Sequence, residues 1–182
     1  MPRQRSDSAD RQPPGAHTTP RFFDLLRVLC DRQVDFVLIG GFAVALHGYV
    51  RATKDIDIVP EPSRENLTRL WGALTELEAT PAELEDFRPE ELPVTFSLEG
   101  LLEGGNWALY TRLGRIDVMQ WVKGIGAYDE LRRDAEQVDE PSIGHPIRFA
   151  GLDDLISMKE AAGRDIDRID ITALRMAQEL EE

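Results

Sequence analysis

The apolar and polar residues of this chain follow helical and strand-like periods in turn. A first helix is predicted by apolar residues at helical spacing, Phe22, Leu25, Leu26 and Leu29. The segment DFVLIGG (35–41) predicts a short buried strand that ends in a glycine turn, and FAVALHG (42–48) predicts a helix of small residues. The segment DIDIV (55–59) predicts the next strand, which ends at Pro60.

The rest of the chain continues this alternation and sets the fold class. Ser63 is a favourable helix N-cap, and the apolar residues behind it have helical spacing. The later segments predict three strands, a short helix, a strand and two closing helices, in the order 93–100, 106–114, 115–122, 127–138, 146–150, 152–163 and 167–180. This order predicts a mixed α/β (α+β) sheet flanked by helices.

Length and composition predict one ordered domain after a polar start. The 182 residues are 42% hydrophobic, which is enough for a substantial core. Residues 1–19 are polar and lack periodicity, so we expect a disordered tail, with 20–182 as one domain whose C-terminal helices begin near residue 152. No apolar run approaches a membrane span, and we see no secretory signal, so we expect no membrane association and a cytoplasmic location. Cys30 is expected to be a buried thiol rather than a nucleophile.

The charge of the chain limits its partners. The formal net charge is -13, which argues against non-specific coating of nucleic acid, because phosphate binding depends on clustered Lys and Arg. A local basic pocket remains compatible with this charge. The acidic runs are expected to be solvated helix faces.

Three aspartates are candidates for chemistry. Asp55 and Asp57 are two residues apart on one predicted strand, so they project from the same face. Asp117 lies between apolar residues on another predicted strand, and it would add a third carboxylate if the strands are neighbours. Converging carboxylates repel one another unless a cation neutralises them. Oxygen ligands of this kind favour Mg²⁺ or Mn²⁺.

The glycine pair could supply the other half of such a site. Gly40 and Gly41 lie between a predicted strand and a helix, where backbone N–H groups can meet a phosphate. A double glycine alone predicts only a tight turn, and alternating aspartates alone predict only a surface strand. Their combination at this spacing favours a nucleotide and metal site.

The segment FVLIGGFAVALHGYVRATKDIDIV (36–59) resembles the signature of the DNA polymerase beta-like nucleotidyltransferase superfamily. Together with LISMKEAAGRDIDRIDITAL (155–174), it is similar to the AbiEii-type branch of nucleotidyltransferase toxins and their uncharacterised relatives. The resemblance implies a minimal nucleotidyltransferase fold with a short C-terminal helical segment. Many members carry serine at the second turn position, where this chain has Gly41.

The resemblance also implies roles for eight residues. Asp55, Asp57 and Asp117 would be the catalytic metal ligands, and Asp117 would serve either as the third ligand or to activate the acceptor hydroxyl. The nucleotide phosphates would be held by two turn glycines and three basic residues, Gly40, Gly41, Arg51, Lys159 and Arg164. Asp167 and Asp170 match the tail of the second motif, but we expect them to be structural.

Other conspicuous side chains are expected to be structural. His47, on the small helix, is expected to be packed or capping rather than a base. Trp107, Tyr110 and Trp121 fall in predicted strands and are expected to be core residues rather than platforms for base stacking.

The resulting hypothesis is metal-dependent transfer of NMP from an NTP to a hydroxyl acceptor. The acceptor could be a tRNA end, a protein side chain or a small molecule, and an antitoxin is a possible partner. Two alternatives stay open: a catalytically inactive nucleotide-sensing or partner-binding domain of the same fold, and a plain interaction domain in which the aspartates are coincidental.

Overall fold

A computed structural model describes residues 21–82 and 95–181, which form one seven-stranded mixed sheet with helices on both faces. The strand order is β3-β4-β5-β2-β1-β7-β6. The helices are α1 Phe22–Asp31, α2 Gly40–Leu46, α3 Arg64–Glu76, α4 Leu98–Glu103, α5 Tyr128–Arg133, α6 Leu152–Ala162 and α7 Asp165–Glu181. The strands are β1 Phe36–Ile39, β2 Asp55–Pro60, β3 Thr80–Pro81, β4 Asn106–Thr111, β5 Gly114–Met119, β6 Glu136–Glu140 and β7 His145–Phe149. The predicted fold class is confirmed.

The centre of the sheet brings together strands that are distant in sequence. β2 pairs with β1 in antiparallel register and with β5 in parallel register. β1 also pairs in parallel with β7. The short central strand β1 is buried along its whole length, as expected for a strand with elements on both faces.

The two faces of the sheet carry separate cores. Ile56 and Ile58 are fully buried and belong to the core that includes α1 and α3. Side chains alternate along a strand, so Asp55, Asp57 and Val59 project from the opposite face. That face carries the second core, to which α5, α6 and α7 contribute. The two aspartates therefore lie on the face that the C-terminal helices cover.

Two local predictions are wrong. The segment predicted as a strand over 93–100 includes the start of α4, because the Ser97 side chain accepts a hydrogen bond from the Gly100 N–H and caps a helix. The helix predicted over 127–138 ends at Arg133, and its remainder forms β6. β6 is a polar edge strand held by antiparallel pairing with β7, so it has no apolar alternation to reveal it.

The remaining helix and strand predictions are confirmed by five strands, β1, β2, β4, β5 and β7, and five helices, α1, α2, α3, α6 and α7. The Ser63 side chain accepts a hydrogen bond from the Asn66 N–H at 3.2 Å, as expected for an N-cap. Cys30 lies on α1, and burial raises the pKa of its thiol to about 11, which leaves it protonated and unreactive at neutral pH. The predicted tail, residues 1–19, lies outside the described residues.

Within the described part of the chain, none of the helices has the length and apolar character needed to cross a membrane. The cytoplasmic location stays a prediction.

Candidate active site

The glycine turn after β1 is shaped around an aspartate. Gly40 has φ +63°, a left-handed conformation that L side chains rarely adopt. A Cβ atom there would also collide with the Asp57 carboxylate. A Cβ atom on Gly41 would lie 2.8 Å from the Thr53 hydroxyl and 3.6 Å from an Arg51 guanidinium nitrogen. The bare backbone of both glycines therefore directly abuts charged and polar groups of the site.

Replacing Gly40 with alanine should disrupt this turn. The substitution adds backbone strain of about 1 kcal/mol and a clash with Asp57, so we expect the free energy of unfolding to fall by roughly 2–4 kcal/mol. Chemical denaturation would measure this loss. Gly144→Ala is the matched control, because Gly144 also has positive φ but no heavy atom lies near its hypothetical Cβ. Equal losses for the two variants would show that Asp57 does not constrain Gly40.

The three aspartates lie on neighbouring strands. Asp57 on β2 is in register with Asp117 on β5, and Asp55 lies two residues before Asp57 on the same face. Burial raises the pKa of Asp57 to about 6, with further contributions from the negative charges of Asp55 and Asp117. Burial thus disfavours the charged form of Asp57, and a bound cation would favour it.

One cation of the chain already lies among these carboxylates. Arg115 donates two hydrogen bonds to Asp117, at 3.0 and 3.1 Å, and its Nε lies 3.8 Å from the Asp55 carboxylate. Burial raises the pKa of Asp117, and the hydrogen bonds and positive charge of Arg115 partly offset this. Over residues 21–82 and 95–181, no three acidic, histidine or cysteine side chains are grouped closely enough to hold a metal ion as they stand.

A buried ion network joins the sheet to the two closing helices. Lys159 on α6 is only 4% exposed, and its Nζ lies 2.6 Å from an Asp170 oxygen and 3.5 Å from an Asp167 oxygen. Arg51 donates two hydrogen bonds to Asp170, at 2.8 and 2.9 Å. Arg164 binds Asp167 through its side chain and its backbone N–H.

The aspartates of this network are held in their charged form. Burial acts to raise the pKa of Asp170, but hydrogen bonds from Arg51 and Lys159 outweigh it, so the net pKa is lowered. The same balance, with Arg164 as the main donor, lowers the pKa of Asp167. Both side chains are completely buried, and Asp167 also lines the cavity described below, so their structural role stays a prediction. Their partners on other elements were not predicted.

All eight residues singled out from the sequence line one cavity of about 620 Å³: Gly40, Gly41, Arg51, Asp55, Asp57, Asp117, Lys159 and Arg164. The structure thus brings them together, although they come from five separate segments of the chain. Sequence reasoning missed Thr53, Asn106 and Lys123, which also line the cavity and carry no pattern that distinguishes them from surface polar residues.

The prediction for the aromatic residues is partly wrong. Trp107 packs against Phe96, with ring centroids 5.4 Å apart, beside the first core. Trp121 lies after the end of β5 and is 72% exposed, so it is not a core residue. The prediction failed because Trp121 continues the apolar run of β5, whose pairing stops at Met119. His47 is packed as expected, with Nε2 2.8 Å from the Ala150 carbonyl oxygen.

Comparison with solved structures relates this architecture to known proteins. The chain superposes on the lincosamide antibiotic adenylyltransferase LnuA in its lincomycin-bound crystal structure with a TM-score of 0.57, at 13% identity, covering 85% of this chain and 94% of that chain. It superposes on the antibiotic-resistance factor ANT(2'')-Ia in solution with a TM-score of 0.51, at 15% identity, covering 88% and 82%. The chain has the nucleotidyltransferase fold.

The similarity to these two solved structures is a similarity of fold, because the sequence identities are only 13% and 15%. No family model matches the chain. No curated protein sequence matches it significantly. The resemblance to the AbiEii-type branch is therefore not confirmed, whereas the implied nucleotidyltransferase fold is present. The strands that carry the aspartates lie at the centre of this nucleotidyltransferase fold.

Proposed function

We propose that this protein is a nucleotidyltransferase that moves a nucleoside monophosphate from a nucleoside triphosphate to an acceptor hydroxyl. The observation that carries the proposal is the shared cavity, in which a glycine turn, four carboxylates and five basic side chains line one space of about 620 Å³. The adenylyltransferase LnuA among the fold neighbours supports this reaction class.

The carboxylates fit a magnesium or manganese ion by their chemistry. Asp55, Asp57 and Asp117 provide oxygen ligands only, and they lie on neighbouring positions of two paired strands. In our proposal these three residues hold the ion once the guanidinium of Arg115 moves away from Asp117. A bound divalent ion would neutralise phosphate charge and polarise the α-phosphate.

The remaining residues position the triphosphate and the reacting hydroxyl. The backbone of Gly40 and Gly41 lets phosphate oxygens approach closely, and Arg51, Lys159 and Arg164 supply positive charge opposite them. The hydroxyl oxygen forms a bond to the α-phosphorus, the bond to the oxygen bridging the α- and β-phosphates breaks, and pyrophosphate leaves. Asp117 takes the hydroxyl proton. Most of the rate would come from positioning and from charge stabilisation.

The acceptor in this proposal is a small molecule. The net charge of -13 disfavours a large nucleic-acid surface. LnuA was solved with lincomycin bound, which is consistent with a small acceptor on this fold. An RNA end or a protein side chain as acceptor, with an antitoxin as partner, is the hypothesis that the AbiEii-type resemblance favoured. It is tested in the same experiment.

Transfer of label from each α-³²P nucleoside triphosphate would test the proposal. The protein is incubated with Mg²⁺ or Mn²⁺ and, separately, with cell metabolites, total RNA and cell protein. We expect label on a small molecule, and we expect it to vanish with Asp55→Ala and Asp57→Ala. Asp139→Asn is the matched control, because Asp139 is an exposed carboxylate on β6, outside the cavity. Label on RNA or protein would instead support the toxin hypothesis.

A second candidate function is a nucleotide sensor without turnover. The observation that favours it is the position of Arg115, which donates two hydrogen bonds to Asp117 and neutralises part of the charge of the three carboxylates. A sensor would gain thermal stability from nucleotide but transfer no label, because a ligand that binds only the folded state raises the melting temperature. An enzyme would be stabilised by nucleotide and would also transfer the label.

Replacing Arg115 with glutamine should strengthen metal binding. The substitution removes the guanidinium that competes with the ion for Asp117, so we expect the Mn²⁺ dissociation constant to fall by roughly tenfold. Isothermal titration calorimetry with Mn²⁺ alone measures this directly. Arg112→Gln serves as the control, because Arg112 lies outside the cavity on the hairpin between β4 and β5. Unchanged or weaker Mn²⁺ binding in Arg115→Gln would contradict the competition.

A further inference from the structure

A second cavity of about 550 Å³ lies next to the first one, over the ends of β2 and β5. Its walls come from Val59 and Pro60 of β2 and from the segment 120–128. The two cavities share four lining residues, Asn106, Trp121, Val122 and Lys123. Val59 follows Asp57 on the same face of β2, so the second cavity lies one step along that face from the carboxylates.

The wall between the cavities is held in a defined position. The Asn106 side chain donates to the Trp121 carbonyl oxygen and accepts from the Trp121 N–H, both at 2.9 Å. The indole Nε1 lies 3.2 Å from the position that a Cβ atom of Gly104 would take, so a side chain at Gly104 would crowd the indole edge. Gly124, with φ +86°, packs against the Ser157 carbonyl of α6. These contacts position Trp121 although its side chain is largely exposed.

The lining of the second cavity selects for a chemical class of ligand. Among the described residues that line it, Lys123 is the only one with a charged side chain, and most of the others are apolar or aromatic. Such a surface suits an uncharged molecule with a flat or ring-shaped apolar face, which can stack on the indole. A polycation would be repelled by the Lys123 ammonium at the wall that the two cavities share.

We infer that this second cavity binds the acceptor, and that the acceptor is an uncharged, hydroxyl-bearing molecule with a ring face that stacks on Trp121. The inference rests on the proposed function and specifies the acceptor site and substrate class. Stacking in the second cavity would leave the rest of the molecule free to extend past Trp121 toward Asp117. The nucleotide and the acceptor then occupy adjacent cavities and bind at the same time.

Saturation-transfer NMR tests this with two probes, phenyl β-D-glucopyranoside as the uncharged ring compound and tobramycin as the polycation. We expect saturation transfer to the glucoside at millimolar concentration, and none to tobramycin. Trp121→Ala should weaken glucoside binding by roughly tenfold, the size of one aromatic stacking contact. Ala127→Trp should also abolish binding, because Ala127 is an exposed lining residue and the added indole fills the cavity.

The controls separate this inference from the proposed function. Trp71→Phe should leave glucoside binding unchanged, because Trp71 packs beside the core on the other face of the sheet. The rise in melting temperature caused by ATP and Mn²⁺ reports the nucleotide site, and it should persist in Ala127→Trp, because Ala127 lines the second cavity and not the first. Loss of that rise in the wild type, with glucoside still bound, would count against the proposed function alone.

Four results would overturn the inference. They are no glucoside binding to the wild type, equal binding to Trp121→Ala, preferential binding of tobramycin, and displacement of the glucoside by saturating ATP with Mn²⁺. The last result would place the probe in the nucleotide cavity. Retained signal with ATP present supports two adjacent sites.

Discussion

Replacing Asp57 with asparagine is expected to abolish nucleotidyl transfer and, at the same time, to make the folded protein more stable at neutral pH. The carboxylate would be a metal ligand in the proposed site, so its loss should lower kcat by at least about 10³-fold. The stability gain follows from its pKa, which burial and the neighbouring carboxylates raise from 3.8 to about 6 on folding. Asparagine has the same shape and no charge to bury.

The sign of the pH effect follows from that shift. Well below pH 4 the carboxyl is protonated in both the folded and the unfolded protein and contributes no difference in stability. Between about pH 4 and 6 the unfolded chain loses its proton first, so the contribution of Asp57 to stability falls as the pH rises, by about 2–3 kcal/mol in total. Asp57→Asn should remove this fall.

Urea denaturation of the wild type and of Asp57→Asn at pH 4, 5, 6 and 7, without metal, would measure how the free energy of unfolding depends on pH. The difference in stability between Asp57→Asn and wild type should grow from pH 4 to pH 6 and then stay constant. Asp139→Asn provides the baseline for an exposed carboxylate. A variant that is less stable than wild type at pH 7 would show that Asp57 is stabilised rather than strained in the folded state.

Replacing Asp170 with asparagine should be the most destabilising of the conservative substitutions considered. It removes the charge that pairs with buried Lys159 and with Arg51. A buried charge left without any partner costs about 3–5 kcal/mol, and Lys159 would keep only its longer 3.5 Å contact with Asp167, so the free energy of unfolding should fall by about 3 kcal/mol. Arg51 would also lose the contacts that aim it at the cavity, and the affinity for ATP should fall with it.

Chemical denaturation and ATP titration would measure these two losses. Asp165→Asn is the matched control on the same helix, because Asp165 is exposed and its ion pair with Arg168 lies in solvent. That variant should change stability by less than about 0.5 kcal/mol. The double variant Lys159→Met, Asp170→Leu should recover part of the stability but not the ATP affinity. Equal stability of Asp170→Asn and wild type would show that Lys159 does not depend on this partner.

The sequence allowed the centre of the fold and the candidate site to be predicted because their signals are local. The alternation in DIDIV fixes which face carries Asp55 and Asp57, and the double glycine marks the turn that faces them. Asp117 could be proposed because it interrupts another apolar strand. The hypothesis required that the strand of Asp117 lie beside the strand of Asp57. β2 and β5 do pair, in parallel, with Asp57 opposite Asp117.

The remaining features depend on contacts between distant residues. The polar strand β6 forms because it pairs with the edge of β7 through backbone hydrogen bonds. Nothing in the segment EQVDE predicts a strand. The exposure of Trp121 depends on where pairing with β4 ends, which no spacing in the chain encodes. The pairing of Arg51 with Asp170 joins residues 119 positions apart. An arginine beside an aspartate on a strand, as in Arg115 and Asp117, is too common a pattern to single out.

The long sequence separation within the ion network has a consequence for synthesis of the protein. A nascent chain that has emerged only as far as residue 150 holds the glycine turn and all three carboxylates, yet it lacks α6 and α7. Arg51 then has no Asp170 to fix it, and Lys159 is still inside the ribosomal exit tunnel. In the proposed site, we expect nucleotide affinity to arise only when α6 and α7 leave the ribosome, so that translation intermediates do not capture nucleotide.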